Sequence, residues 1–215
     1  MDWRPWRNQA LPRVLSETDV ADFRERMCEA AQRLFAEKGP GGVTMRELAS
    51  AMGVSAMTPY RYFRDKDDIL AAVRARAFDR FADAMEKAHA GAGTIVERSL
   101  AVTAAYVHFA LEESTAYRLM FDLCQPGEGT YPDLMRAGAR ARATMTQNIG
   151  RLVEEGLLEG DPELIGLVFW AALHGAVTLH LAGKLSPQFK RPSQYGIDRI
   201  VSEAMRALGE GFRTK

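Results

Sequence analysis

The chain has 215 residues, of which 47% are apolar and 26% are charged. This composition is typical of a folded globular protein and excludes an intrinsically disordered one, and the length allows one or two domains with a substantial core. The 28 Lys and Arg residues are balanced by 28 Asp and Glu residues. Affinity for a polyanion would therefore require a local cluster of basic residues, because the chain as a whole has no net positive charge.

The first residues predict an irregular arm followed by a long helix. The arm, which precedes Thr18, contains Trp3, Pro5, Trp6 and Pro12. From Thr18 onward the apolar residues recur with the i, i+3, i+4 spacing of one helix face. These residues are Val20, Phe23, Met27, Ala30 or Ala31, Leu34 and Phe35. We expect the helix to stop at residues 39–42, where three glycines and a proline follow one another.

The stretch from Thr44 to Phe63 predicts two short helices joined by a tight turn. Thr44 and Glu47 have the spacing of a capping box, which starts a helix at Met45. Gly53 is placed to end that helix in the left-handed conformation. Ser55 can then cap a second helix, which carries hydroxyl, phenol and guanidinium groups. A helix-turn-helix of this kind lays its second helix in the major groove of DNA.

At these residues the chain resembles the TetR family of bacterial repressors. The residues that carry the resemblance are Thr44, Leu48, Ala49, Gly53, Val54, Ser55, Tyr60, Tyr62, Phe63 and Lys66. The match covers residues 18–78 and implies a three-helix DNA-binding domain there. Pro59 departs from the family pattern, which usually has leucine at this position. So near a helix start, proline removes one hydrogen bond at little cost but can shift the local geometry.

The rest of the chain predicts helices only. Asp65 can cap a long helix that ends near residues 91–93. Further helices are expected over residues 94–113, 114–123, 133–155, 162–183 and 192–208, with a loop over residues 125–132. No run alternates apolar and polar residues for long enough to predict a sheet. The predicted fold class is therefore all-α.

The helix from Leu164 to Gly183 contains no Asp, Glu, Lys or Arg. A transmembrane helix needs about 20 consecutive apolar residues, and this helix meets that length. However, it contains His174, Thr178 and His180 and lacks interfacial anchors at its ends. A helix that is apolar all round is otherwise buried on all sides, as it would be between its own core and a partner subunit. Small residues would allow that close approach: Gly166, Ala171, Ala172, Gly175 and Ala176. We therefore favour a homodimer, which would also let two helix-turn-helix motifs reach the half-sites of a palindrome.

A second resemblance lies within this helix. Trp170, His174 and Gly175 are similar to the Trp-x-x-x-His-Gly (WHG) signature of one TetR C-terminal subfamily, and residues 117–121 are similar to its upstream helix. The resemblance implies that residues 79–215 form a helical domain that dimerises and holds a small-molecule effector. It names no ligand.

Ten residues are candidates for DNA contact: Thr44, Arg46, Ser55, Ala56, Met57, Thr58, Tyr60, Arg61, Tyr62 and Lys66. Thr58, Tyr60 and Arg61 follow a capped turn, which favours contact with DNA over a merely solvated helix face. Tyr62 is interpreted as a phosphate ligand, with packing as the alternative.

Lys66 lies at the start of the next helix, where its ammonium and the helix N-terminus can meet the same phosphate. Arg46 can reach the groove or remain a surface residue, and Phe63 is expected in the core. The arm arginines Arg4, Arg7 and Arg13 can enter a minor groove, although a disordered tail is the preferred interpretation.

Eight residues are candidates to line the effector pocket: Phe81, Met85, Tyr106, Phe109, Met120, Phe121, Trp170 and His174. Aromatic residues and Met at helical spacing are more often ordinary core, and we expect this of most of them individually. His174 is the best polar candidate because it lies on an apolar helix, although a hydrogen-bonded buried imidazole is the preferred state.

An enzyme is the competing class. The chain has no G-x-S-x-G elbow, no Walker loop and no G-x-G-x-x-G after a strand. Cys28 and Cys124 are the only cysteines, and neither belongs to a C-x-x-C motif. Cys124 lies beside a loop but has no sequence-local activating base, so a catalytic thiol is not favoured. The four histidines lack metal-ligand spacing, so we predict neither metal nor cofactor. Two unlinked thiols and an N-terminus without an apolar segment indicate a cytoplasmic protein.

The sequence therefore predicts an all-α, homodimeric TetR-like transcription regulator. Its N-terminal domain binds a palindromic operator in double-stranded DNA, and an apolar or amphipathic effector in the C-terminal domain releases it. A DNA-binding regulator without a ligand is the main alternative. A small helical enzyme is the other.

Overall fold

The computed structural model describes residues 16–121, 128–185 and 195–214. These ranges contain eight α-helices: α1 (Glu17–Lys38), α2 (Met45–Ala51), α3 (Lys66–His89), α4 (Ile95–Glu112), α5 (Ser114–Phe121), α6 (Pro132–Glu154), α7 (Pro162–Leu181) and α8 (Ile197–Gly211). The one β-type pairing in the described ranges is an isolated bridge between Leu158 and Arg213. The predicted all-α class is confirmed. The contacts divide the chain into two compact units between Leu70 and Ala71.

Several helices begin at capping residues that are recognisable in the sequence. Thr44 accepts a hydrogen bond from the backbone of Glu47 and Glu47 returns one to Thr44, so the predicted capping box is confirmed. The same reciprocal pair joins Thr94 to Glu97 at the start of α4. Asp65 accepts a hydrogen bond from Asp68 N at 2.8 Å and so caps α3 as expected. Each cap satisfies backbone donors that the first helical turn leaves unpaired.

The first unit has a core formed by α1, α2 and the residues that follow them. Phe23, Met27 and Phe35 of α1 are buried, as are Leu48 of α2 and Phe63. Glycines end both helices where the sequence predicts a stop. Gly39 and Gly53 have φ values of 70° and 66°, in the left-handed region that glycine adopts at least cost.

The prediction of a second helix after Ser55 is wrong. No α-helix forms between Ala51 and Lys66; a turn at Ser55 leads instead into a single 3-10 turn over Pro59–Arg61. Thr58 N bonds to Ser55 O, and Arg61 N bonds to Thr58 O, which is the i to i+3 pattern. Pro59 has no N–H and cannot form the bond to Ser55 that an α-helix requires at this point.

The second unit buries one large cluster shared by α3 to α8. Tyr106, Tyr117 and Met120 are among its most deeply buried large side chains. Arg140 of α6 also forms ion pairs at 2.6 Å with Asp83 and Glu86 of α3. These exposed pairs contribute little energy individually, but they fix α6 against α3.

Helix α7 is long and apolar enough to cross a membrane by length and composition alone. In the structure it packs against α6 and α8, and Ile165, Leu173 and Val177 are buried there. Its opposite side leaves Leu164 and Leu167 exposed to 56% and 46%. The helix is therefore a core helix with one open apolar face.

Some predicted features lie outside the described residues: Arg4, Arg7 and Arg13, Cys124, and the predicted helix start at Pro192. The last helix begins at Ile197, and it continues beyond the predicted end at Leu208 to Gly211. The helix expected over 133–155 begins one residue earlier, because Pro132 occupies its first turn.

Candidate functional sites

The ten residues predicted to contact DNA lie at or near the surface of the first unit. Seven are exposed and the other three, Thr58, Tyr62 and Lys66, are half-buried. Met57 and Tyr60 are exposed to 70% and 50%, although both are large apolar side chains. The segment Ser55–Arg61 therefore presents hydroxyl, thioether, phenol and guanidinium groups outward on one short turn.

The charge of this surface is locally basic. Residues 44–66 contain four basic side chains and only two acidic ones, Glu47 and Asp65, although Arg64 pairs with Asp68 at 3.7 Å. Glu47 is held by Lys38 at 2.7 Å and by Thr44, and these hydrogen bonds lower its pKa to about 2. Asp65 accepts from the first turn of α3. Both carboxylates are thus engaged inside the motif, which leaves Arg46 and Arg61 exposed on its surface.

Tyr62 packs against α1, which was the alternative to its interpretation as a phosphate ligand. Its ring stacks on Phe23 with centroids 3.9 Å apart and planes at 18°. Arg24 of α1 donates a hydrogen bond to Tyr62 O and places its guanidinium 4.1 Å from the centre of the Phe63 ring. Sequence reasoning missed Arg24, because it is one of many polar residues on α1 and nothing local marks its partner. It secures the end of the Ser55–Arg61 segment to α1.

Lys66 has a protein partner that the sequence did not predict. Its ammonium donates to Pro40 O at 2.7 Å, which anchors the loop after α1 to the start of α3. An ammonium has three donors, so the contact leaves two for another acceptor. The role of Lys66 at a phosphate stays a prediction.

The second unit contains a partly open cavity of about 300 Å³. It is lined by Phe78, Phe81, Met120, Phe121, Gly138, Ala141, Arg142, Met145, Thr146, Glu163, Gly166, Leu167 and Trp170. The volume lies at the lower end of the range for small-molecule sites, which are typically apolar with a few placed polar groups. The lining has this character, because four aromatic rings accompany only Arg142, Thr146 and Glu163 as polar side chains.

Four of the eight candidate pocket residues line this cavity: Phe81, Met120, Phe121 and Trp170. Met85 and Phe109 belong to the buried core cluster, as the alternative interpretation expected of such residues. Tyr106 and His174 lie one layer behind the cavity wall and are hydrogen-bonded to Tyr117. His174 is hydrogen-bonded, as the preferred interpretation expected, but its imidazole is half-buried rather than fully buried.

The polar part of the cavity lining was missed. Arg142 and Thr146 lie on α6 and Glu163 lies in the first turn of α7. On sequence alone these residues belong to the polar faces of amphipathic helices, which usually face water. Gly138 was missed too, although a Cβ built on it meets no atom within 4 Å and would project into open space.

A larger groove of about 810 Å³ lies between α4, α8 and the end of α6. It is more open than the cavity, and its rim includes Val96 and Leu100, which are exposed to 46% and 60%. None of the eight candidate pocket residues lines it. In the described residues, no group of three or more His, Cys, Asp or Glu side chains is arranged to hold a metal ion.

Two family descriptions match the chain. Residues 28–73 match "Bacterial regulatory proteins, tetR family", and residues 99–208 match "Tetracyclin repressor-like, C-terminal domain". The second match alone spans more than half of the chain. The protein belongs to the TetR family. Its N-terminal residues are those that match the bacterial regulatory proteins of this family, whereas the WHG subfamily stays a prediction.

Curated relatives agree over the N-terminal part. HTH-type transcriptional regulators of Staphylococcus aureus are 36% identical over 63 residues. The aligned region spans 29% of this TetR protein and 34% of each relative, so the chain covers about a third of the length of the curated relatives it matches.

Solved structures extend the similarity to the whole fold. A Rhodococcus protein of unknown function is 26% identical, with a TM-score of 0.76 over 96% of this chain and 100% of that one. A TetR family transcription regulator from Marinobacter aquaeolei is 19% identical, with a TM-score of 0.71 over 93% and 100%. A TetR/AcrR family regulator from Thermobifida fusca is 23% identical, with a TM-score of 0.62 over 90% and 100%. The two lower identities show the fold alone.

Proposed function

We propose that this protein is a cytoplasmic, homodimeric repressor that binds a palindromic operator and leaves it when a small apolar or amphipathic effector fills the cavity. Residues 18–78 supply the DNA-binding domain and residues 79–215 supply the effector-binding and dimerisation domain, of the WHG type. The observation that carries the proposal is the presence, in one chain, of the exposed Ser55–Arg61 segment and of a cavity with four aromatic rings in its lining.

The DNA contacts follow from the exposed Ser55–Arg61 segment. Thr58, Tyr60 and Arg61 offer hydroxyl, phenol and guanidinium groups to base edges or phosphates. Arg46 and Lys66 flank the segment and bring positive charge to the DNA backbone, where counterion release favours binding. Because the whole chain is electrically balanced, binding depends on this local surface and falls steeply with salt concentration.

Tyr60→Ala is expected to cost about 1–3 kcal/mol of specific operator binding, the usual loss for one good contact made by a recognition segment. Lys66→Ala is expected to weaken binding to all sequences alike and to reduce the salt dependence, because a phosphate contact is lost. Gel shifts at several salt concentrations measure both effects. An operator selected from random DNA supplies the specific site.

Two matched controls lie in the other unit. Tyr195→Ala removes a tyrosine of similar exposure, and Lys184→Ala removes a lysine. Both should leave operator affinity unchanged. If Tyr60→Ala and Lys66→Ala also bind like wild type, the assignment of the Ser55–Arg61 segment to the major groove is wrong.

The proposed dimer uses the open face of α7. Leu164, Leu167 and Ala171 are exposed on this face, and Gly175 has no atom within 4 Å of a built Cβ. A contiguous apolar helix face is costly to leave in water, and a second copy of the same face covers it with two-fold symmetry. Two-fold symmetry also matches the two half-sites of a palindromic operator.

The proposed effector response uses helix α3. This helix begins at Lys66 and contains Phe78 and Phe81, two residues of the cavity wall. An effector that displaces α3 would change the separation of the two DNA-binding segments, which must fit half-sites about 34–36 Å apart. The effector must bind the DNA-incompetent state more tightly, since equal affinity for both states shifts nothing.

The deciding experiment is a screen for compounds that release the selected operator from the purified protein. Dose-dependent release by a compound that binds the cavity supports an effector-regulated repressor. Operator binding that no compound changes supports the alternative, a regulator without a ligand. Turnover of a compound without any operator binding would support the enzyme instead.

A further inference from the structure

Three polar rings lie directly behind the aromatic wall of the cavity. The hydroxyl of Tyr106 on α4 lies 2.7 Å from the hydroxyl of Tyr117 on α5. The Tyr117 hydroxyl in turn lies 2.6 Å from Nδ1 of His174 on α7. Tyr106 and Tyr117 are exposed to only 1% and 2%. Three helices are therefore joined by one hydrogen-bonded chain, in which the two tyrosines are buried and His174 is half-buried.

This hydrogen-bonded chain of Tyr106, Tyr117 and His174 is in contact with the cavity wall. The His174 ring centroid lies 4.7 Å from that of Phe121 and 5.5 Å from that of Trp170. Phe81 meets Tyr106 edge-on with centroids 5.2 Å apart. Phe81, Phe121 and Trp170 all line the cavity. The orientation of these three rings thus depends on the position of the polar rings behind them.

The tautomer of His174 sets the direction of the hydrogen bonds in this chain. A phenol has one hydrogen to donate, and a neutral imidazole donates from one nitrogen and accepts at the other. If His174 carries its hydrogen on Nε2, Nδ1 accepts from Tyr117, and the Tyr117 oxygen accepts from Tyr106. Nε2 then faces the Thr178 hydroxyl at 3.4 Å. Each short contact in this arrangement has one donor and one acceptor.

A second proton on the His174 ring is incompatible with this arrangement of donors and acceptors. Nδ1 would then carry a hydrogen, and Tyr117 could no longer donate to it. Tyr117 would have to accept from Nδ1 and donate to Tyr106, and the buried Tyr106 hydroxyl would lose its acceptor. An unpaired buried polar group is costly, so the rings would reverse their hydrogen bonds at a penalty or move apart.

The surroundings of His174 favour its neutral form. Burial lowers the pKa of His174, and burial also raises the pKa of Tyr106 to about 12 and the pKa of Tyr117 further. The groups that face the imidazole are Tyr106 from α4, Tyr117 from α5 and Thr178 from α7. None of these is charged at neutral pH.

Two arginines reach the neighbouring backbone of α5 and α7. Arg74 donates to Met120 O at 3.1 Å, and Arg118 donates to Leu181 O at 2.6 Å. Both contacts are with carbonyl oxygens and supply no negative charge that would stabilise an imidazolium.

We propose that Tyr106, Tyr117 and His174 are positioning residues for the effector cavity, and that the cavity binds its ligand with His174 neutral. The inference rests on the proposed function, because it assumes that the cavity is the effector site. It predicts affinity that is constant at neutral and alkaline pH and falls as the pH decreases through the His174 pKa of the free protein, which burial holds below the ordinary histidine value of about 6.5. By reciprocity, a bound ligand lowers the pKa of His174 further.

The test uses a full-length variant with Trp170 as its sole tryptophan. The sequence contains three tryptophans, so Trp3→Phe together with Trp6→Phe achieves this. The probe is N-phenyl-1-naphthylamine, an uncharged aromatic fluorophore that accepts energy from tryptophan. Probe affinity should fall from pH 7.5 to pH 5, by up to about tenfold for each unit by which binding lowers the His174 pKa. Trp170 emission, which a nearby imidazolium quenches, should titrate at a lower pH when the probe is bound.

Three variants identify the group that titrates. His174→Asn keeps an acceptor near the Nδ1 position but does not titrate, so probe binding should become independent of pH and stay near the wild-type affinity at pH 7.5. Tyr117→Phe should weaken probe binding at every pH, because the chain loses its central link. His180→Asn is the matched control, since His180 lies on the same helix and is exposed. It should retain the wild-type pH profile, with circular dichroism confirming that each variant is folded.

The outcomes separate this inference from the proposed function. Probe binding that Gly138→Leu blocks, but that does not change with pH in the wild type, overturns the positioning role and leaves the cavity assignment intact. A His174→Asn variant that keeps the wild-type pH profile also overturns the positioning role and leaves the cavity assignment intact. Probe binding that Gly138→Leu leaves unaffected, or no binding at all, overturns the cavity as the site and this inference with it.

Discussion

Gly175→Leu is expected to convert the protein into a folded monomer with greatly reduced operator affinity. A Cβ at Gly175 meets no atom within 4 Å in the protomer, so the first side-chain atom of a leucine fits there without a clash. In a dimer formed by the open face of α7, the same side chain would collide with the partner subunit. Loss of the second half-site contact removes the avidity of a linked pair, which is worth about 10²–10⁴-fold in affinity.

Analytical ultracentrifugation measures the association state, circular dichroism the helical content, and gel shifts the operator affinity. Gly138→Leu is the matched control, because it makes the same substitution inside the cavity and should leave the dimer intact. A Gly175→Leu protein that remains fully dimeric would exclude this face of α7. The interface would then lie elsewhere, with α8 the next candidate.

The helix boundaries of the motif were predictable because they depend on local interactions. Thr44 and Glu47 are three residues apart and cap the same turn. Gly53 adopts the left-handed conformation next to the helix that it ends. Capping and glycine conformation involve only residues that are neighbours in sequence, and no tertiary contact is needed to recognise them.

The geometry of the Ser55–Arg61 segment was less predictable. The helix-turn-helix pattern indicated a regular second helix, and Pro59 indicated a disturbed one. Because Pro59 lacks an N–H, the segment forms turns with i to i+3 hydrogen bonds instead of an α-helix. A pattern shared with a family gives the order of the elements, whereas one atypical residue changes the hydrogen bonding inside an element.

The hydrogen bonds behind the cavity wall could not be predicted from the sequence. Tyr117 and His174 are 57 residues apart, and their hydrogen bond exists only because α5 and α7 pack together. The contact of Lys66 with Pro40 is of the same kind. Periodicity shows which face of a helix is apolar, but it does not show which helix covers that face or which polar atoms meet there.

Gly138→Leu is expected to abolish the effector response while leaving DNA binding intact. Gly138 lies inside α6, where glycine costs about 0.5–1 kcal/mol relative to alanine, so replacement favours the helix. A Cβ there meets nothing within 4 Å, because the space beside it is the cavity. The leucine side chain therefore occupies volume that an effector needs, without displacing a protein atom at its Cβ. The concentration for half-release of the operator should rise more than about tenfold, a loss of at least ~1.4 kcal/mol of binding.

Truncation of the cavity wall is a less selective test of the same site. Trp170→Ala should also blunt the effector response, but Phe81→Ala removes a side chain that is 2% exposed and is expected to cost about 3–5 kcal/mol of stability. Gly150→Leu is the better control for Gly138→Leu. It lies on the same helix, has equally open space at its Cβ, and is not part of the cavity lining. Operator release from Gly138→Leu at the same effector concentration as from Gly150→Leu would place the effector outside this cavity, and the open groove between α4 and α8 would then be the site to test.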